Sequence, residues 1–158
     1  MGFYIDSNGR YYEGDQQGSD KAVPQRPSPN HAFNGEGWGL DLARIQSQQW
    51  EAIKQERDRR KAGGVRIGSK WFHSDDSSRI QQMRLVMMGA SIPPSLQWKT
   101  MDGAFVEMTA ELAQQVFTAV AANDQAVFAA AEAHRVAMES SATLEYDFSA
   151  GWPKTFGE

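Results

Sequence analysis

The apolar positions of this chain are concentrated after Trp38, where their spacing predicts helices alternating with short hairpins. Three segments carry apolar residues every three or four positions, as the buried face of a helix does. Two further segments alternate around a glycine-containing turn, which is typical of short antiparallel strands. The predicted order is helix 39–62, two strands within 65–73, helix 77–88, hairpin 96–108 and helix 109–141.

Polar residues and glycines mark the ends of these helices. Asp41 and Thr109 are placed to cap the first and last helix, because their side chains can accept a backbone N–H of the first turn. The segment 74–77, with Asp75 and Asp76, offers caps for the middle helix. Gly63-Gly64 ends the first helix. Within the last helix, Asn123-Asp124 indicates a kink or a short break.

The last helix carries the most regular apolar stripe, and the middle helix carries a shorter one. Each stripe is expected to face the core, because its members fall on one side of a helix. In the middle helix the expected inward face is Ile80, Met83, Val86 and Met87. In the last helix it is Leu112, Val116, Val120, Val127, Ala131 and Met138.

The first 38 residues are polar and interrupted by glycine and proline. An Asn8-Gly9 pair between β-prone residues predicts a hairpin over 3–13. The following segment, 14–34, is rich in Gly, Gln, Ser and Pro, which favours an extended, polyproline-like chain. Because it has little to bury, two interpretations stay open: a disordered leader, or an extended arm that becomes ordered on a partner.

Aromatic residues at both ends favour partner binding, because rings give contact area at a small entropic cost. After Ser141 the chain becomes irregular and aromatic again. The predicted organisation is an extended partner-binding arm (1–38), an α+β core domain with two short β-hairpins (39–141) and an irregular, aromatic-rich C-terminal tail (142–158). The predicted partner-binding residues are Phe3, Tyr4, Tyr11, Tyr12, Pro24, Pro27, Phe33, Trp38, Trp152 and Phe156.

Composition narrows the chemistry. The 158 residues suffice for one domain with its own core, and the absence of cysteine removes thiolate ligands and nucleophiles. A net charge of −4 gives no overall attraction to nucleic acid or anionic lipid. No apolar run approaches the roughly 20 residues that span a bilayer, and the N-terminus lacks a signal-peptide pattern. We expect a soluble protein that is intracellular when made.

The histidines do not have the spacing of a metal site. His73 with Asp75 and Asp76 comes nearest to a metal or acid–base site, but helix capping is the commoner role of such aspartates. The glycine-rich segment 35–39 follows no predicted strand and contains Glu36, which opposes phosphate binding. We therefore predict no catalytic residue, no metal and no cofactor, and a protein that is not an enzyme.

Three motifs in order carry a resemblance to a known family: 56–65 (ERDRRKAGGV), 70–75 (KWFHSD) and 97–103 (QWKTMDG). Together they resemble a domain of unknown function of tailed bacteriophages and prophages. That domain occurs in proteins encoded near tail-fibre genes and described as tail-fibre assembly or tail-associated proteins. The resemblance covers roughly Trp50 to Ala137, and it transfers no catalytic residue.

The resemblance implies a structural component or adaptor of the phage tail that binds a tail-fibre or baseplate protein through its aromatic ends. It implies a homo- or hetero-oligomer, while the net charge and the lack of a long apolar run predict no nucleic-acid partner and no membrane insertion. The protein would act in the host cytoplasm during assembly and then reside in the virion tail, which serves host attachment. The alternative reading of the resemblance is a tail-fibre assembly chaperone that is not retained in the virion.

Two further hypotheses come from the residues alone. A small metal-dependent hydrolase would be built around His73 and Asp75. A nucleic-acid-binding module would use the basic end of the first helix, Arg57 to Lys61, although Asp58 lies among its arginines.

Overall fold

The computed structural model describes residues 1–141 and 143–158, and it has the mixed α+β character that the sequence predicts. The described chain divides into two compact units, Met1–Gln48 and Gln49–Glu158. The sequence placed a boundary after residue 38, whereas this division falls inside the first helix. The described elements are β1 Gly2–Ile5, β2 Tyr11–Gly14, β3 Lys21–Ala22, β4 His31–Phe33, β5 Trp38–Leu40, α1 Leu42–Lys61, β6 Val65–Ile67, β7 Lys70–Phe72, α2 Asp76–Met88, β8 Gln97–Lys99, β9 Phe105–Glu107 and α3 Ala110–Glu139.

The first unit is built from short antiparallel strands. β1 lies between β2 and β3 in a three-stranded sheet, and β4 pairs with β5 in a separate hairpin. The predicted extended arm is therefore folded into strands along much of its length. The sequence analysis did not predict β3, β4 or β5. β3 depends on pairing with β1, which is distant in sequence. β4 and β5 form a local hairpin around Asn34-Gly35, a turn signal that the glycine- and proline-rich composition of the segment obscured.

The predicted first hairpin is present, with a longer turn than a two-residue Asn-Gly loop. Residues 6–10 connect β1 and β2, and the Asp6 N–H donates to the Arg10 carbonyl across the loop (3.1 Å). In this loop only Gly9 has a positive φ, of 80°. The Asp6 carboxylate accepts the backbone N–H groups of Asn8 (2.9 Å) and Arg10 (2.8 Å), so one side chain holds the turn.

The second unit contains two apolar clusters, and α3 contributes to both. The first cluster forms where the β6–β7 hairpin and α2 pack on the first half of α3. The predicted stripe of α3 is confirmed as the inward face, with only Leu112 partly exposed. The buried members of this first cluster are Val65, Phe72, Leu85, Met108, Ala113, Val116 and Val120.

The second cluster joins α1 to the second half of α3 and to the C-terminal segment. Its buried centre is Ile53, Ala131 and Met138. Around this centre pack four half-buried rings, three of them contributed by the C-terminal segment. These rings are Trp50, Tyr146, Phe148 and Trp152.

Hydrogen bonds hold the C-terminal segment in place although it has no helix or strand among its described residues. The Nε2 of His134 donates to the Ala150 carbonyl (2.9 Å), and its Nδ1 accepts the Tyr146 hydroxyl (3.0 Å). At the end of α1, buried Arg60 donates to the Pro153 carbonyl (2.9 Å) and pairs with Glu158 (3.1 Å). The predicted irregular tail is therefore irregular in backbone but packed against α1 and α3.

Two predictions about the helices are wrong. In α2 the buried residues are Gln82 and Leu85. Of the predicted inward face, Val86 packs against the first cluster, whereas Ile80, Met83 and Met87 are 49%, 48% and 81% exposed. α2 presents the face of Gln82 and Leu85 to the core because the buried Gln82 side chain forms a hydrogen bond there: its Nε2 donates to the His73 carbonyl (2.6 Å).

The second wrong prediction concerns α3, which runs without a break through Asn123-Asp124. Asp124 instead forms a bidentate ion pair with Arg79 of α2, at 2.6 and 2.8 Å. Among the described residues no helix is long and apolar enough to cross a membrane.

We expect Trp152→Ala to lower the free energy of unfolding by about 2–3 kcal/mol, because the ring covers the second cluster and its Nε1 donates to the Phe148 carbonyl. Denaturant unfolding followed by far-ultraviolet circular dichroism measures the loss. Phe105→Ala is the matched control: its ring is 62% exposed, so a change below about 0.5 kcal/mol is expected. Equal losses in the two variants would contradict a packed C-terminal segment.

We expect Glu56→Gln to destabilise the protein in a pH-dependent way. Arg59 donates two hydrogen bonds to the Glu56 carboxylate and Arg60 a third, which lowers the pKa of Glu56 from 4.5 to about 2. A depressed pKa stabilises the fold above pH 4.5, and this contribution disappears as the pH falls through about 2.

The variant is therefore expected to lose about 1 kcal/mol of unfolding free energy near neutral pH and to approach the wild type as the pH falls from about 4.5 towards 2. Acid titrations of both proteins by circular dichroism test this. Glu51→Gln on the same helix is the control, because among the described residues Glu51 forms an ion pair with Lys54 alone and its side chain is 60% exposed. A difference that stays constant with pH would contradict the assignment.

Candidate protein-binding surfaces

An aromatic cluster organises the first unit. It consists of Phe3, Tyr11, Phe33 and Trp38, four of the predicted partner-binding residues. Trp38 lies at its centre, with its ring 5.4 Å from that of Tyr11 and 5.3 Å from that of Phe33, both edge to face. Phe3 stacks on Tyr11 at 6.2 Å. Such ring pairs add to the free energy gained by burying the rings.

Strand register brings these rings together. Phe33 lies directly opposite Trp38 in the β4–β5 hairpin. In the β1–β2 pair, alternation places Phe3 and Tyr11 on one face and the stacked rings of Tyr4 and Tyr12 on the other. The cluster therefore needs both the three-stranded sheet and the β4–β5 hairpin.

Loop residues complete the cluster. The Trp38 Nε1 donates to the Pro24 carbonyl (2.8 Å), and the Tyr11 hydroxyl accepts the Arg26 N–H (3.2 Å). These bonds tie the proline-containing segment to the strands. Pro24 thus contributes a backbone carbonyl to the unit, while Pro27 lies exposed.

A cleft of about 550 Å³ opens beside the aromatic cluster. We call it the basic pocket because four cationic side chains line it. Asp41 is the one carboxylate in its lining, and its Oδ1 accepts the Arg44 N–H (3.1 Å) at the start of α1. The lining of the basic pocket includes Arg10, Lys21, Arg26, Arg44, Tyr11, Phe33, Trp38 and Asp41.

A second surface lies on the second unit between α2 and α3, and we call it the apolar groove. It has a volume of about 280 Å³. Ile80, Met83 and Phe117 (42% exposed) line it together with the Arg79–Asp124 ion pair. It exists because α2 turns Gln82 and Leu85 to the core, so that its other apolar side chains face outward.

The remaining predicted partner-binding residues, Trp152 and Phe156, belong to the second unit. Trp152 is half-buried in the second cluster, with its ring 5.0 Å from that of His134. Phe156 is 40% exposed and lies edge to face with Trp71 at 6.2 Å. Both rings therefore have partners within the unit.

Of the candidate metal or acid–base residues, Asp75 has a structural role. The Asp75 carboxylate caps α2 by accepting the hydroxyls of Ser77 (2.6 Å) and Ser78 (2.7 Å) and the Ser78 N–H (3.0 Å), and these bonds hold its pKa below the usual range. The His73 carbonyl accepts from Gln82. In the described part of the chain, no three His, Cys, Asp or Glu side chains are grouped so as to hold a metal.

The arginines at the end of α1 are matched by carboxylates. Arg57 pairs with Asp58 (2.8 Å), and Arg59 pairs with Glu56 (2.7 Å). Arg60 lies between Glu56 and Glu158. Because each guanidinium already has an anionic partner, a phosphate ligand would have to displace a carboxylate.

Sequence reasoning missed both the basic pocket and the apolar groove. One signal for the pocket was available: residues 1–48 contain only four Lys or Arg, and all four line it. For the groove, the signal was a middle helix with more apolar positions than one buried face requires.

Comparison with known proteins gives one match. No curated protein and no solved structure matches the chain. A family model described as a domain of unknown function (DUF4376) matches residues 44–150, about two-thirds of the chain. That description states no function, so the association with phage tails stays a prediction. The chain belongs to the DUF4376 family.

Proposed function

We propose that this protein is a structural component or adaptor of a bacteriophage tail, which holds a tail-fibre or baseplate protein through its N-terminal unit. The observation that carries the proposal is the aromatic cluster beside the basic pocket. Ring and guanidinium side chains are the groups that dominate binding energy in protein interfaces. In this role the protein joins the tail in the host cytoplasm and remains in the virion.

The arrangement of the N-terminal unit supports an adaptor. Its rings are fixed by one another and by loop carbonyls, so a partner would meet a preformed surface and the entropic cost of binding would be small. The resemblance of the segments 56–65, 70–75 and 97–103 to a domain of tail-associated phage proteins supports the location. In the proposal the second unit is the stable body that carries this surface.

Trp38→Ala is expected to reduce capture of the partner at least about fivefold, because it removes the ring that Tyr11 and Phe33 pack against. The measurement is affinity capture of tagged full-length protein from phage-producing cells, with tail-fibre and baseplate proteins quantified by mass spectrometry. The helical circular dichroism signal should persist, because α1, α2 and α3 lie mostly in the other unit.

Phe105→Ala is the control for this capture experiment, since it removes an exposed ring from the second unit. We expect it to capture the partner as the wild type does. Equal capture by Trp38→Ala and wild type, or the absence of any tail-fibre or baseplate protein from the wild-type sample, would contradict the proposed role.

The apolar groove favours a second candidate function, that of a tail-fibre assembly chaperone. Methionine adapts its shape to different apolar partners, and Met83 is 48% exposed beside Phe117. Such a groove could cover apolar strands of a fibre before the fibre assembles. A chaperone would then leave the fibre, whereas an adaptor stays.

Mass spectrometry of purified mature virions separates the two roles. An adaptor is expected at a fixed copy number relative to the baseplate proteins. Presence in infected cells together with absence from virions would instead establish the chaperone, and Met83→Ser would then be expected to weaken suppression of fibre aggregation.

A further inference from the structure

We propose that the basic pocket is a binding site for an acidic peptide segment of the partner, whose Asp or Glu carboxylates lie among Arg10, Lys21, Arg26 and Arg44. This inference rests on the proposed function and names the chemistry of its partner. No sequence motif pointed to it.

The cations of the N-terminal unit are concentrated in the basic pocket. Residues 1–48 contain four Lys or Arg and six Asp or Glu, so the unit as a whole is acidic. All four cations nevertheless line the basic pocket, while only Asp41 among the six acids does. A positive cleft on an acidic unit attracts anions locally, although the net charge opposes them.

Among the described residues, backbone carbonyls and aromatic rings rather than carboxylates hold two of the cations in position. Lys21 Nζ donates to the Gly35 carbonyl (2.7 Å) and lies 4.9 Å from the centre of the Phe33 ring. Arg26 donates from Nε to the His31 carbonyl (2.8 Å) and lies 5.9 Å from the Trp38 ring. Carbonyls and rings orient these groups but leave their charge uncompensated, which is the state of a prepared anion site.

The other two cations, Arg10 and Arg44, are exposed. Within residues 1–141 and 143–158, neither side chain forms an ion pair or a hydrogen bond. Both guanidiniums therefore keep all five N–H donors for a ligand, and each can grip a carboxylate with two parallel hydrogen bonds. They also lie on different elements, the β1–β2 turn and α1, so the cations come from several directions.

The aromatic walls favour a peptide over a ring-shaped anion such as a uronic acid or a nucleotide. A sugar or a base is usually held by stacking on an aromatic ring. Here Phe33 and Trp38 are engaged by cations and by each other, and Tyr11 is engaged by Phe3 and Trp38. Carboxylates on a flexible chain need only the cations, and a cleft of about 550 Å³ admits a few residues.

Fluorescence anisotropy of a labelled hexaglutamate peptide with the full-length protein tests the site. We expect binding at low ionic strength that weakens as salt is added, because the contacts are between charges. The double variant R10Q/R44Q should bind about tenfold more weakly and unfold at the same denaturant concentration as the wild type, because it breaks no internal bond.

The matched control is R84Q/K99Q, which removes two exposed cations from the second unit and changes the net charge equally. We expect its affinity for hexaglutamate to stay within about twofold of the wild type. The absence of peptide binding, or an equal loss in the two double variants, would overturn the site. Tighter binding of a hexameric oligogalacturonate than of hexaglutamate would overturn the peptide as its ligand.

The outcomes separate this site from the proposed function. If the protein captures a tail protein but does not bind hexaglutamate, the adaptor role is supported and the acidic-peptide site is refuted. Peptide binding that is lost in R10Q/R44Q, in a chain that captures no tail protein, would establish the site and refute the adaptor.

Discussion

The packing of Trp38 against Tyr11 and Phe33 is the constraint on which the candidate binding surface depends. A 48-residue unit of short strands, rich in Gly and Pro, buries little, and within residues 1–48 only Val23 and Ile45 are buried apolar side chains. The aromatic rings compensate for this small buried core by packing on one another and by forming cation–π contacts with Lys21 and Arg26. The same contacts orient Lys21 and Arg26, so the interaction that holds the unit together also builds its positive cleft.

The second unit achieves stability in a more familiar way. One long helix, α3, presents its apolar stripe to two clusters, and α1, α2, the β6–β7 hairpin and the C-terminal segment cover it. Buried Arg60 links the end of α1 to the C-terminal segment by donating to Glu56, the Pro153 carbonyl and Glu158. These partners offset the cost of burying its guanidinium. Helix α2 buries a glutamine, and the apolar side chains thereby displaced to its surface create the apolar groove.

Local signals in the sequence were sufficient for the order of helices and hairpins in the second unit. Caps at Asp75 and Thr109, the turn glycines and the stripe of α3 act within a few residues, so they can be read without knowing the fold. The inward face of α2 could not be predicted, because the bond from Gln82 to the His73 carbonyl is a tertiary contact.

Much of the first unit was beyond local reasoning, although its first hairpin was predicted and its β4–β5 hairpin is local. Its Phe33–Trp38 pair follows from strand register, and the bonds from Trp38 to Pro24 and from Arg26 to Tyr11 join residues 14 and 15 positions apart. The sequence drew attention to the aromatic residues themselves, but it did not show the pocket that their packing forms with the four cations. The sequence showed the aromatic residues and the few cations of this unit, but only the fold showed that they line one pocket.

Hydrogen–deuterium exchange of the purified full-length protein, without any partner, tests the central claim most directly: the N-terminal unit is a preformed surface. The Val23 N–H donates to the Phe3 carbonyl (2.9 Å) and the Asp41 N–H to the Asn30 carbonyl (2.8 Å). If the surface is preformed, both amides exchange more slowly than in an unfolded chain, and their exchange becomes faster in Trp38→Ala. Exchange at unfolded-chain rates throughout residues 1–40 would contradict a preformed surface and would support the interpretation of this segment as a disordered leader.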